Sequence, residues 1–287
     1  MSTAYLNGVF LPLDQAQIPV LDRGFLFGDG VYEVIPVYGG KLFRLEHHLR
    51  RLQNSLDAVR IGNPLADAEW KAMLSELVNA PQEQDRSIYL QVTRGVAPQR
   101  DHAFPVATPP TVFAMCTPGQ PAREIDSEPG IAAITLADIR WQYCNIKAIT
   151  LLPNILLRQQ AIEANAAEAI LIRDGCAVEG AASNVFAVRD GVVTTPPNSA
   201  ALLPGVTRDL VLELAQANDT PCREADIPVE DLFRADEVWL TSSTREISPV
   251  IRLDDRTVGD GKPGPVWRRM IRYYQDYKQA VHRGEAS

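Results

Sequence analysis

Two-residue turn signals punctuate this chain, and they restrict its fold more than any other feature. Asn7-Gly8 breaks a strand-like stretch at Tyr5–Leu11, and Gly39-Gly40 turns the apolar run Val31–Tyr38 back through Lys41–Phe43. Asp174-Gly175 and Asp190-Gly191 end the strand-like runs Glu168–Arg173 and Asn184–Arg189. Such dipeptides reverse a chain tightly because the favoured hairpin turn needs a positive φ at both central residues. A strictly alternating parallel sheet joins its strands by long crossovers instead. Amphipathic helices lie between the hairpins. Leu45, Leu49, Leu52, Leu56 and Val59 recur at steps of four and three, and Asp67–Val78 puts Trp70, Leu74 and Leu77 on one face. Further helices are expected near Ile155–Ala164, at Arg208–Ala217 and from Pro265 to about Ala280, with strands at Ser87–Arg94, Thr111–Cys116, Ile131–Ala137 and Glu237–Thr241. Hairpins mixed with helices predict an α+β fold.

The segment Thr117–Gly130 is dense in Pro, Gly and charge, which marks the best place for a linker. We therefore expect a smaller N-terminal α+β domain over 1–120, a linker over 121–129 and a larger C-terminal α+β domain over 130–287. A length of 287 residues suits two such domains.

The chain carries 36 acidic against 28 basic residues, a formal charge of −8, with no run of five like charges. That balance argues against nucleic acid or an anionic membrane as a partner. The first residues lack the basic start and apolar core of a signal peptide, and no run approaches the roughly 20 apolar residues of a membrane span. A cytoplasmic location is expected. The four cysteines (Cys116, Cys144, Cys176, Cys222) form no CxxC pair and the four histidines lack ligand spacing, so no metal is expected. GDGVYE at Gly28–Glu33 fails as a dinucleotide fingerprint because Glu33 stands where the last glycine belongs, and neither GK[ST] nor GxSxG occurs. Nicotinamide, nucleotide-hydrolase and α/β-hydrolase chemistries thus lose their main signals.

Only five of the basic residues are lysines. Four have ordinary solvated settings, but Lys147 lies in CNIKAITLLPN among Ile146, Ala148, Ile149, Leu151 and Leu152. Such a lysine either snorkels its ammonium to water or, with its pKa lowered by desolvation, serves as a Schiff-base amine. Glu179 opens EGAASNVF, where small residues let the backbone pass close to something: either a plain turn, or a place where a carboxylate meets a ring nitrogen. Gly205, Val206 and Thr207 precede a helix, giving either an anion site at its N-terminus or simple capping by Thr207. TSSTREISP at Thr241–Pro249 adds hydroxyl donors.

Taken in order, DRGFLFGDGVYEV, YLQVTRGVAPQRDHAFP, DIRWQYCNIKAITLLPN, EGAASNVF, LLPGVTRD and TSSTREISPV resemble the class IV (fold type IV) pyridoxal-phosphate aminotransferases, in particular the D-amino acid aminotransferases, over nearly the whole chain. The resemblance implies a fold type IV architecture, pyridoxal 5'-phosphate as cofactor and D-amino acid and 2-oxo acid substrates. It implies that Lys147 holds the cofactor as a Schiff base and shuttles the Cα proton. Glu179 would hold the ring nitrogen and Leu203 would pack on the ring. Arg51 would clamp the phosphate with Gly205, Val206, Thr207, Ser242 and Ser243. The substrate carboxylate would be held by Tyr32 together with Arg100 and His102, the last two reaching in from the partner of a homodimer. Residues two apart in an extended loop point the same way, so Arg100 and His102 can act together. The same fold also serves branched-chain L-amino acid aminotransferases, against which Arg100-x-His102 speaks, and aminodeoxychorismate lyases. Arg140, Trp141, Cys144 and Arg245 receive no role.

Overall fold

The computed structural model describes residues 3–78, 85–119, 125 and 128–286. Of the expected linker, 121–124 and 126–127 lie outside the described residues. The chain is α+β and forms two compact units. The first comprises Met1–Pro121, Ile146–Thr150 and Ala280–Ser287, and the second Ala122–Asn145 and Leu151–Gln279. This division differs from the expected one in a respect that matters for function. Lys147, expected in the C-terminal part, belongs to the first unit, because Ile146–Thr150 runs beside one of its strands.

In the first unit β1 (Thr3–Leu6), β2 (Val9–Pro12), β3 (Gly30–Tyr38), β4 (Lys41–Leu42), β5 (Arg86–Thr93) and β6 (Thr111–Pro118) make one sheet in the order β2-β1-β6-β5-β3-β4, every neighbouring pair antiparallel. The stretch RGFLFGDG holds a short helix, α1 (Arg23–Phe27). Asp22 caps it by accepting from the Gly24 amide at 2.8 Å, and Gly28 ends it at φ 66°, a conformation that costs glycine nothing. The apolar stripe foreseen from Leu45 folds as α2 (Leu45–Ala58), followed by α3 (Asp67–Val78). Strand alternation turns Val31, Ile35 and Val37 of β3 to one face, where Leu52 and Leu56 of α2 and Trp70 and Leu74 of α3 complete a core that includes Ile88, Leu90 and Val92. Burying each such aliphatic side chain contributes about 1.5–3 kcal/mol. The opposite face carries Tyr32, stacked on Tyr89 at 5.7 Å.

Among the described residues the second unit holds ten strands: β7 (Ile131–Ala137), β8 (Glu168–Arg173), β9 (Cys176–Gly180), β10 (Asn184–Arg189), β11 (Val192–Thr195), β12 (Cys222–Glu224), β13 (Ile227–Pro228), β14 (Glu237–Ser242), β15 (Glu246–Leu253) and β16 (Arg256–Thr257). Nine follow the order β12-β11-β10-β14-β15-β7-β8-β9-β13, and β16 pairs with β15. The helices are α4 (Leu152–Glu163), α5 (Val206–Ala217), α6 (Val229–Phe233) and α7 (Pro265–Arg283), whose last residues count with the first unit. All four turn dipeptides adopt the expected positive φ values, for example 51° at Asp174 and 79° at Gly175. Among the described residues no helix is long and apolar enough to cross a membrane.

Candidate active site

The lysine segment lies antiparallel against β3. The Tyr32 amide donates to the Lys147 carbonyl at 2.9 Å, the Ile149 amide donates to the Gly30 carbonyl at 3.1 Å, and Val31 bridges Ala148. The Lys147 amide donates to Ser55 Oγ of α2 at 3.1 Å. With its backbone fixed on both sides, Lys147 sets Nζ over the Tyr32 ring, 4.2 Å from the centroid, a cation–π distance. Two residues assigned separate tasks by resemblance are thereby brought together.

Behind Tyr32, the next residue of β3 points the other way. Glu33 is fully buried, and the α2 residues His48 and Arg51 close on it. Arg51 donates from Nε to Oε1 at 2.8 Å and from Nη2 to Oε2 at 2.7 Å, a bidentate grip, and His48 Nδ1 lies 2.8 Å from Oε2. Burial alone would raise the Glu33 pKa, yet Arg51 and then His48 hold the carboxyl well below the usual carboxylate range. Burial pushes the His48 pKa down, so the neutral ring donates from Nδ1. Arg51, expected at a phosphate, has its fork engaged by Glu33. Neither Glu33 nor His48 was recognised in the sequence. The signal available was a charged residue at a core-facing position of β3, in an alternation that otherwise reads Val31, Ile35, Val37.

The loop Gly95–Pro110 is exposed at Arg100 and His102, yet its backbone is tied down. Arg23 of α1 donates to the carbonyls of Asp101 (2.6 Å), His102 (3.2 Å) and Ala103 (3.2 Å), and its Nε meets Asp29 at 2.7 Å. Arg94 donates twice to the same Asp29 and to the carbonyls of Val59 and Arg60, and stacks on Phe104 at 3.6 Å. Burial would raise the Asp29 pKa, but the hydrogen bonds from Arg94 and Arg23 outweigh it and hold the carboxyl low. Arg100 lies over the Phe27 ring at 5.1 Å and the His102 ring lies 5.4 Å from it, so both side chains rest on one aromatic platform.

In the second unit Glu179 of β9 is buried, and its two oxygens have different partners. Oε1 accepts from Arg140 Nη1, while Oε2 accepts from the Leu203 amide at 3.1 Å and from Asn184 Nδ2 at 3.4 Å. Burial pushes the Glu179 carboxyl up, to about 7, against the pull of Arg140. Asn184 also donates to the Leu203 carbonyl at 2.8 Å, fixing the loop that leads to α5. That helix starts at Gly205, which stands so close to Asn184 Oδ1 that a Cβ would collide with it. Val206 and Thr207 are buried in the first turn, and no side chain caps it, so Thr207 is not the cap the sequence allowed. Asn184 pairs in register with Thr241 of β14, against which α5 packs. The Thr241 hydroxyl is buried and has no hydrogen-bond partner among the described residues. Ser242 and Ser243 follow in the β14–β15 hairpin, where Ser242 Oγ accepts from the Arg245 amide at 3.2 Å.

These features fit pyridoxal phosphate. Uncapped amides at a helix start and an orphaned hydroxyl are what a phosphate oxygen satisfies, and a buried carboxyl fixed on both oxygens is what a pyridinium nitrogen requires. Of the residues that complete this site, Arg140 was left without a role by the sequence, Thr241 entered only as one of the hydroxyls of TSSTREISP, and Asn184 was passed over, although all three lie in or beside the segments that carry the resemblance.

The family model described as Amino-transferase class IV matches residues 30–253. The chain belongs to that family and is an aminotransferase. Among its relatives are the D-alanine aminotransferase of Bacillus licheniformis, 42% identical over 92% of this chain and 93% of that one, and that of Staphylococcus haemolyticus, 38% identical over 96% and 98%. Solved structures of similar fold include the branched-chain amino acid aminotransferase of Escherichia coli (TM-score 0.87, 26% identity, covering 100% of this chain and 96% of that one). Another is a T.th. branched-chain amino acid aminotransferase with pyridoxamine 5'-phosphate (TM-score 0.88, 27% identity, 98% and 94%).

Proposed function

We propose that this chain is a D-amino acid transaminase that uses pyridoxal 5'-phosphate to run D-alanine + 2-oxoglutarate ⇌ pyruvate + D-glutamate. The observation that carries the reading is Lys147 Nζ held over Tyr32 by a backbone pinned to β3 and α2. When bound, the cofactor supplies a carbonyl that captures the substrate amine and a ring that accepts the electrons left at Cα. Lys147 Nζ would hold the cofactor through its carbonyl and, once released by the substrate amine, would be the base that takes and returns the proton at substrate Cα. Glu179 holds the ring nitrogen and Leu203 packs on the ring. The amides and side chains at Gly205, Val206 and Thr207, with Ser242, Ser243 and Arg51, hold the phosphate, and Glu33 orients the Arg51 fork. Tyr32 holds the substrate carboxylate. Arg100 and His102, exposed on a loop anchored by Arg23, add a charge-assisted grip from the second copy in a homodimer. The enzyme works in the cytoplasm.

The D-alanine reading is supported by relatives at 42% and 38% identity. The branched-chain enzymes among its structural neighbours favour a second reading, L-leucine as amino donor. Adding D-alanine, L-alanine or L-leucine separately to the cofactor-loaded enzyme, without an acceptor, separates them. Loss of the visible absorbance of the lysine-bound cofactor with D-alanine alone is expected. Loss with L-leucine alone would transfer the enzyme to the branched-chain reading.

A further inference from the structure

Four charged side chains of the second unit stand in a row of alternating sign. Arg173 Nη2 meets Asp138 Oδ2 at 2.8 Å. Asp138 in turn grips Arg140 side-on, accepting from Nε at 2.9 Å and from Nη2 at 2.8 Å, and it also accepts from the Arg140 amide at 3.0 Å. The Ala201 carbonyl takes a further bond from Nη2 at 3.2 Å. This grip fixes the guanidinium plane and leaves Nη1 to donate to Glu179 Oε1. The side chains of Asp138, Arg140 and Glu179 are 0%, 5% and 5% exposed, so solvent does little to screen these three, while Arg173 at the outer end is 22% exposed. Two carboxylates and two guanidinium groups balance in charge.

We propose that Arg140 is a positioning residue that keeps Glu179 anionic and so puts the shared proton on the cofactor ring nitrogen, with Asp138 holding Arg140 in place. The inference rests on Glu179 being the ring-nitrogen partner, as read above. A buried carboxyl facing a pyridine has two arrangements, an acid donating to a neutral nitrogen or a carboxylate accepting from a pyridinium. Burial favours the neutral pair, as the upward push on Glu179 indicates. A guanidinium on the far oxygen reverses that preference, because the carboxylate then lies between two cations while the cations remain on opposite sides of it. Arg140 alone would leave an extra buried positive charge, which Asp138 cancels. The Leu203 amide on Oε2 also favours the carboxylate, Asp138 pushes the Glu179 carboxyl up, and Cys144 is a thiol whose own pKa burial raises; of the groups that pull Glu179 down, Arg140 acts most strongly. The decision falls to Arg140.

The test uses holoenzyme loaded with pyridoxal phosphate carrying 15N in the ring, read by NMR against pH. The wild type should show a protonated ring nitrogen at neutral pH. Arg140→Gln should lower the pH at which that nitrogen loses its proton by about one to two units, the worth of a charge-assisted hydrogen bond. Arg140→Lys should recover part of the shift, because it restores charge without the fork. In Glu179→Gln, the further change Arg140→Gln should move the nitrogen no more. Arg140→Met, which keeps much of the side-chain volume without the charge, should shift the signal in the same direction as Arg140→Gln, and it decides the matter if that variant fails to fold. An unchanged nitrogen titration in the folded Arg140→Gln or Arg140→Met holoenzyme would overturn the proposal. A wild-type nitrogen signal indifferent to Glu179→Gln would instead overturn the assignment of Glu179 on which it rests.

Discussion

Replacing Glu33 by glutamine removes one charge from a place without water. The carboxylate is 0% exposed and accepts three charge- or ring-donated bonds of 2.7–2.8 Å, two from Arg51 and one from His48. Glutamine keeps the shape but turns an amide NH₂ toward these donors and leaves the Arg51 guanidinium, 7% exposed, without its counter-charge. Breaking a buried pair from one side costs about 3–5 kcal/mol. At about 2–4 °C per kcal/mol for domains of 150–250 residues, the melting midpoint should fall by roughly 6 °C or more. The assay is circular-dichroism melting of the cofactor-free protein at pH 7, repeated down to pH 3. The pH series supplies a sign. The Glu33 pKa in the folded protein lies below its ordinary 4.5, so its contribution is complete above pH 4.5 and is lost as pH falls toward the folded value. Wild type should therefore lose stability on acidification through a term that Glu33→Gln lacks. Replacing Glu33, His48 and Arg51 together by apolar residues should recover most of the loss, since no charge is then stranded. A Glu33→Gln midpoint within about 1 °C of wild type would refute this account of the triad.

Lys147→Ala should abolish turnover and binding of the cofactor carbonyl while leaving the melting midpoint nearly unchanged, because the segment is held to β3 and α2 through its backbone; absorbance and calorimetry check both halves. Arg23→Ala should release three loop carbonyls and raise the KM for D-alanine about tenfold or more, with kcat less affected, as steady-state kinetics would register. Glu179 carries the opposite pH sign to Glu33. Its folded pKa, about 7, lies above the ordinary 4.5, so in the cofactor-free protein its contribution is complete below pH 4.5 and is lost as pH rises through about 7. Urea unfolding across that range should decline less steeply in Glu179→Gln.

The sequence was most legible where local chemistry leaves one choice. The four turn dipeptides and the Leu45–Val59 stripe announced hairpins and a helix that both exist, since positive φ and a 3.6-residue period are properties of a few adjacent residues. β15 went unrecognised because Pro249 sits inside it and the neighbouring hydroxyls suggested a ligand loop, while a proline argues against an inner strand. A register shift at Val250–Arg252 marks the irregularity. Arg140, Asn184 and Thr241 could be quoted within motifs but not valued, because their partners are supplied by distant segments: Glu179 lies on β9, Leu203 before α5, and Asn184 faces Thr241 only through strand pairing. Glu33 was noticed only as a failed glycine.

The five residues Ile146–Thr150 belong by contact to the first unit although chain of the second unit precedes and follows them. A chimaera that exchanges residues 1–121 between two such enzymes would therefore inherit Tyr32 and Arg51 from one parent and Lys147 from the other. Its β3 edge would have to match a foreign strand at Gly30–Ile149 and Val31–Ala148. Recombination libraries that cut only at the 121–129 boundary would split this cluster every time. Carrying Ile146–Thr150 along with the N-terminal piece keeps the lysine with its own neighbours.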